Sequence, residues 1–137
     1  MTVLAILRLL VELAMPMAPP PGRVRASEPP PVAPGASIEL SVTILDTPVA
    51  GTPIELWLDS SDAVFVPNRF DNRDVADPLA TQPRIRVRIS APTLAGRYGI
   101  DAHVVYVSCG ETTCRPHHSL VHWDLEVAAP TGAAVAP

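Results

Sequence analysis

The residues with chemistry to offer are gathered in the last third of the chain. The two cysteines, Cys109 and Cys114, stand close together, and the four histidines, His103, His117, His118 and His122, flank them. Two thiols at this spacing suit three kinds of chemistry: a structural disulfide, exchange of disulfides with a partner, or capture of a soft metal ion. Closing a loop of about six residues adds roughly 2 kcal/mol in the chain-entropy picture, against nearly 5 for a loop of about a hundred. A bond serving stability alone would gain more by tying distant strands together, so exchange is a serious competitor. Thiol exchange needs an attacking thiolate. Arg115 adjoins Cys114, and His117 or His118 would supply a further positive or hydrogen-bonding group.

The metal reading meets an objection. Cys109-x4-Cys114 followed by His118-x3-His122 resembles zinc-ligand spacing, but the gap between the two pairs is far shorter than a zinc finger uses. On an extended strand four residues span roughly 13 Å, so His118 and His122 would not reach one ion. A smaller set of Cys109, Cys114 and His117, suited to Cu(I), survives this objection as the least favoured alternative. No resident metal or other cofactor is expected. No Ser/His/Asp triad, carboxylate pair or phosphate-binding glycine loop stands out, so hydrolase and nucleotide chemistry have nothing to rest on.

The elements that must carry these residues are short strands. SIELSVTIL places Ile38, Leu40, Val42 and Ile44 on one face after the turn signal Pro34-Gly35, and IELWL sets Ile54, Leu56 and Leu58 opposite Glu55 and Trp57. Arg23–Ala26 and AVFV at 63–66 read as further short runs. RIRVRIS at 84–90 alternates without a fault, YGIDAHVVY and SLVHWDLEV complete the set, and Arg84, Arg86 and Arg88 form a ladder on one face. That ladder reads first as a solvated outer face and second as a dock for an acidic surface. Residues 67–83 are a polar loop long enough to be suspected of function. About seven strands in about a hundred residues predict an all-β fold, an immunoglobulin-like antiparallel β-sandwich. Tyr98, after Ala95-Gly96-Arg97, resembles the corner tyrosine of such sandwiches.

Parity ties the cysteines to the last two strands. Tyr98, Ile100, Ala102, Val104 and Tyr106 share one face of the first; Val121, Trp123, Leu125 and Val127 share one face of the second. With Cys109 facing Cys114 across Gly110-Glu111-Thr112-Thr113, Ile100 falls opposite Trp123 and Ala102 opposite Val121 inside, and Asp101 falls opposite His122 outside. A slip of one residue would turn one core face to water. Cysteine spacing and hydrophobic parity therefore agree on a cross-strand disulfide.

The segment AGRYGIDAHVVYVSCGETTCRPHHSLVHWDLEV resembles the end of the immunoglobulin-like N-terminal periplasmic domain of the thiol:disulfide interchange protein DsbD family. The motif residues are Tyr106, Cys109, Glu111, Cys114 and Pro116, over residues 95–127; the likeness over 23–94 is architectural only. The resemblance implies a thiol-disulfide oxidoreductase whose Cys109 and Cys114 cycle between dithiol and disulfide. It implies that Cys114 joins a partner in a mixed disulfide, with Arg115, His117 and Tyr106 in support. The implied partner is a thioredoxin-like protein or a membrane thiol-disulfide reductase. His117 stands where many relatives carry a second proline, and Phe70 is the one candidate for the family's aromatic cap over the cysteines. The alternative is a non-enzymatic immunoglobulin-like binding or structural module with a hairpin disulfide.

Composition bounds the rest. The chain has 137 residues, 17 of them proline, and is 47% hydrophobic with a net charge of −4, its ten basic side chains all arginine. That is enough for one core and supplies no basic footprint for nucleic acid. No apolar run is long enough for a membrane span, so the folded domain is not expected to insert in a membrane. Residues 1–22 read as an apolar segment and a proline-rich linker, 23–127 as the sandwich and 128–137 as a disordered tail. Within 3–15, Arg8 interrupts the apolar run, so an export signal is unconvincing beside an N-terminal helix or the remnant of a misplaced start. The disulfide nevertheless points to an extracytoplasmic site, periplasmic or secreted.

Overall fold

A computed structural model describes residues 23–129, so the readings for 1–22 and for the tail from 130 onward lie outside the described residues. Seven strands follow in order: β1 Val24–Ala26, β2 Ser37–Ile44, β3 Glu55–Asp59, β4 Arg69–Phe70, β5 Arg84–Ser90, β6 Gly96–Cys109 and β7 Cys114–Val127. They form two antiparallel sheets, β1-β2-β5 and β4-β3-β6-β7, the immunoglobulin-like β-sandwich expected from the strand pattern.

The sandwich follows from period-two alternation. Ile38, Leu40, Val42 and Ile44 of β2 and Ile85, Val87 and Ile89 of β5 face Leu56, Leu58, Ile100, Ala102, Val104, Trp123, Leu125 and Val127 of the other sheet, all buried. These branched and aromatic side chains fit a pleated, half-buried surface, and burying them supplies the main driving force. Tyr98 donates its hydroxyl to the Leu94 carbonyl at 2.7 Å, the corner contact expected of it. The arginine ladder lies on the outer face of β5, where Arg86 and Arg88 approach Glu39 of β2 at 3.7 and 3.4 Å. Such exposed pairs contribute little to stability.

Two expectations need correction. Residues 63–66 form no strand: Phe65 is buried, while Val64 and Val66 are 90% and 73% exposed. The next residue, Pro67, has no N–H to give a ladder, and the partner of β3 is instead Arg69–Phe70, which sets Phe70 opposite Leu56. The second correction concerns Phe70 as a cap. It is buried in the core from β4, at the opposite edge of the sheet from β7, and does not cover the cysteines.

The 67–83 loop is held by local structure. Asp71 and Asp74 form a capping box around the 3-10 turn Asn72–Asp74, and Val75 bridges to Ile85. Asn72 accepts from the Ile54 N–H at 2.9 Å and donates to the Thr52 carbonyl at 3.1 Å. These bonds pin the loop to the sandwich.

Candidate functional site

Strands β6 and β7 make one long hairpin, and its backbone ladder runs without a bulge from Gly96↔Val127 to Cys109↔Cys114. The register is the one that parity predicts, with Ile100 opposite Trp123, Ala102 opposite Val121 and Asp101 opposite His122. Cys109 and Cys114 are bonded to each other, their α-carbons 3.8 Å apart. The loop beyond them is closed by the Gly110 N–H donating to the Thr113 carbonyl at 2.8 Å. Because hydrogen-bonded and non-hydrogen-bonded pairs alternate, that bond places the cysteines at a non-hydrogen-bonded pair, where facing side chains approach most closely. Both cysteines are exposed.

The cysteine end of β6 is braced from its other side. The Val49 N–H donates to the Val107 carbonyl at 2.8 Å, and Pro48 bridges to Ser108. Deeper in, Tyr106 is fully buried and donates its hydroxyl to Asp46 Oδ2 at 2.6 Å; Arg23 pairs with the same carboxylate at 3.2 Å. Burial, with the adjacent Asp46 carboxylate, pushes the Tyr106 hydroxyl up to about 12.

The other residues named with the cysteines lie apart from the sulfurs. Alternation along β7 puts Arg115 and His117 on the opposite side of the strand from Cys114. His117 stacks on Tyr106, ring centroids 5.2 Å apart, and Arg115 is exposed opposite Ser108. The set Cys109, Cys114 and His117 is therefore not brought together as a metal site. Among the described residues no group of three or more His, Cys, Asp or Glu side chains is placed to hold an ion.

His122 sits between two carboxylates, with Nδ1 2.7 Å from Asp101 and Nε2 3.0 Å from Asp124. A ring with an acceptor at each nitrogen is satisfied fully only as the imidazolium. The hydrogen bond to Asp101, then that to Asp124, raises the His122 pKa above its ordinary 6.5. A group whose folded-state pKa is raised adds stability that is fully present below the unfolded value and is lost as pH rises through the folded one. We therefore expect the His122 ring protons to titrate above pH 6.5 in NMR, and His122→Gln to remove that part of the pH dependence of stability. A midpoint at or below the ordinary value would contradict the pairing.

A cluster that sequence reasoning missed lies on the same outer face as the sulfurs. His103 of β6 stacks on Trp57 of β3, and its Nδ1 is 3.1 Å from Nε2 of His118. The signal was present in the parity: His103 falls opposite Leu120 and His118 opposite Val105, which makes the two histidines diagonal neighbours on one face.

No protein family and no curated protein matches the sequence. Among solved structures, the chain is similar to AggA, the major subunit of aggregative adherence fimbriae type I from Escherichia coli. The two share 11% identity with a TM-score of 0.45, over 79% of this chain and 95% of that one. No helix among the described residues is long and apolar enough to cross a membrane.

Proposed function

We propose that this domain exchanges disulfides in an extracytoplasmic compartment through Cys109 and Cys114, with a thioredoxin-like protein as partner. The observation that carries the reading is the position of the bond. It is exposed, and it joins two strands whose uninterrupted ladder already sets their register. A covalent link there adds little order, yet both sulfurs are open to attack. The resemblance at Tyr106, Cys109, Cys114 and Pro116 supports the same reading and gives Cys114 the attacking role.

In the step proposed, the Cys114 thiolate attacks one sulfur of the partner's disulfide. A new S–S bond forms, and the partner's other sulfur leaves as a thiolate with the electron pair. The Cys109 thiolate then attacks Cys114, closing the internal disulfide and releasing the partner as a dithiol. Run in reverse, the same steps reduce this domain's bond.

A second reading, a non-enzymatic binding or structural module with a hairpin disulfide, is favoured by one specific observation. Arg115 and His117 project away from the sulfurs and Phe70 is buried at the far edge of the sheet, so none of the three favours a thiolate there.

One experiment separates the two. Reduced Cys109→Ala, mixed with oxidised thioredoxin and run on a non-reducing gel, is expected to trap a mixed disulfide, and Cys114→Ala to trap little. Equal trapping by both variants would remove the assignment of roles and keep exchange. No adduct from either, with a wild-type bond that resists a glutathione buffer poised near about −200 mV, would leave the structural reading standing.

A further inference from the structure

Three rings from three strands meet on the outer face of the β4-β3-β6-β7 sheet. His103 lies flat against Trp57, centroids 5.0 Å apart with the ring planes within 5°. His118 leans against both, 5.6 Å from Trp57 and 5.3 Å from His103. Nδ1 of His103 and Nε2 of His118 are 3.1 Å apart, a contact that requires one of them to be a bare acceptor, since two facing N–H groups would repel.

We propose that His103 and His118 form a two-imidazole chelate for an exchangeable divalent transition-metal ion of the Ni2+, Cu2+ or Zn2+ class. Two nitrogens each about 2.0–2.1 Å from one ion stand roughly 2.9 Å apart at a right angle and roughly 3.4 Å apart at a tetrahedral one. The observed 3.1 Å lies inside that interval, so the nitrogens are already spaced for one ion, which would sit to one side of the line between them once each ring turns to aim its lone pair at it. The donor ring moves its hydrogen to its other nitrogen by exchange with water. Both rings then present lone pairs, two metal–nitrogen bonds form, two aqua ligands leave the ion, and the proton count of the protein is unchanged.

The surroundings favour this pair over the other histidines. The β6–β7 ladder fixes the separation of the two backbones, and the Trp57 face holds the His103 ring, which lowers the cost of orienting the ligands. His118 is exposed, so an ion has a path in. His122, by contrast, has a carboxylate at each nitrogen. With no third protein ligand among the described residues, water completes the shell. That makes the ion exchangeable, in contrast to a resident one, and imidazole pairs suit Ni, Cu and Zn better than Mg or Ca.

The test uses the full, untagged chain with its disulfide intact, titrated with NiCl2 and followed by tryptophan fluorescence and by calorimetry. We expect saturable one-to-one quenching that EDTA reverses, and tighter binding when CuCl2 replaces NiCl2. His103→Ala and His118→Ala should each weaken binding at least about tenfold, with His122→Ala unchanged. Trp57→Phe should lose most of the optical signal while its calorimetric stoichiometry stays at one. Both histidines lie on the outer face of the sheet, and circular dichroism of each variant checks that the fold is kept. Binding in His103→Ala or His118→Ala as tight as in the parent chain, dependence on His122 instead of the pair, or no saturable heat at millimolar Ni2+ would each overturn the proposal.

Discussion

Trp123→Ala is expected to destabilise the domain by about 3–5 kcal/mol, the range for removing a large aromatic from a core. Trp123 is 2% exposed, the largest of the fully buried side chains, and it lies in β7 directly opposite Ile100. Its Nε1 donates to the Ser27 carbonyl at 2.8 Å, so the indole also ties the segment after β1 to the other sheet. Truncation leaves both a cavity and a carbonyl without its donor, and the two costs add. Small domains have a total of only about 5–15 kcal/mol to lose, so urea unfolding should show a large fall in midpoint. Trp57→Ala is the control. Trp57 is half-buried on the outer face and leaves no core cavity, so its loss should be much smaller. Equal effects from the two would contradict the placement of Trp123 in the core.

Tyr106→Phe carries the second large effect. The change keeps the ring in the core and removes only the hydroxyl that donates to Asp46 at 2.6 Å. A hydrogen bond to a charged group contributes about 1.5–3 kcal/mol, and here the loss leaves Asp46 with Arg23 as its remaining side-chain partner. The pH dependence provides a sharper signature. The folded-state value of about 12 lies above the ordinary 10, so the folded protein keeps this proton where the unfolded chain has released it. The contribution is therefore complete below pH 10 and is lost as pH rises from there through about 12. Unfolding free energies measured across that interval should fall steeply in the parent chain and less steeply in Tyr106→Phe. Parallel curves would show that Tyr106 does not carry the alkaline limb. Tyr98→Phe, which removes a neutral bond at the corner, should cost about 0.5–1.5 kcal/mol.

The hairpin and its disulfide were legible in the sequence because both depend on local rules. A four-residue loop leaves few registers open, and period-two burial on both strands selects one of them: Cys109 opposite Cys114 and Asp101 opposite His122. The same alternation identified β2, β3 and β5 and the sandwich they build. It failed at residues 63–66, where four apolar residues in a row suggest a strand although two of them, Val64 and Val66, face solvent. A short apolar run carries no information about which element will receive it.

What only the tertiary structure decided is the set of contacts between residues far apart in the chain. The Tyr106–Asp46 bond spans 60 positions and the Trp123–Ser27 bond 96, and neither partner bears a local mark of the other. Trp57 reaches His103 because β3 pairs with β6 in one particular register, which rests on the packing of the two sheets and on no turn between them. The directions of Arg115 and His117 were implicit in parity, since odd positions of β7 face away from Cys114. Adjacency in the sequence nevertheless suggested that they stood beside the sulfurs. In a strand the nearest neighbours in sequence are on opposite faces, so the groups that meet are those two residues away or one strand across, and only the assembled sheet says which strand that is.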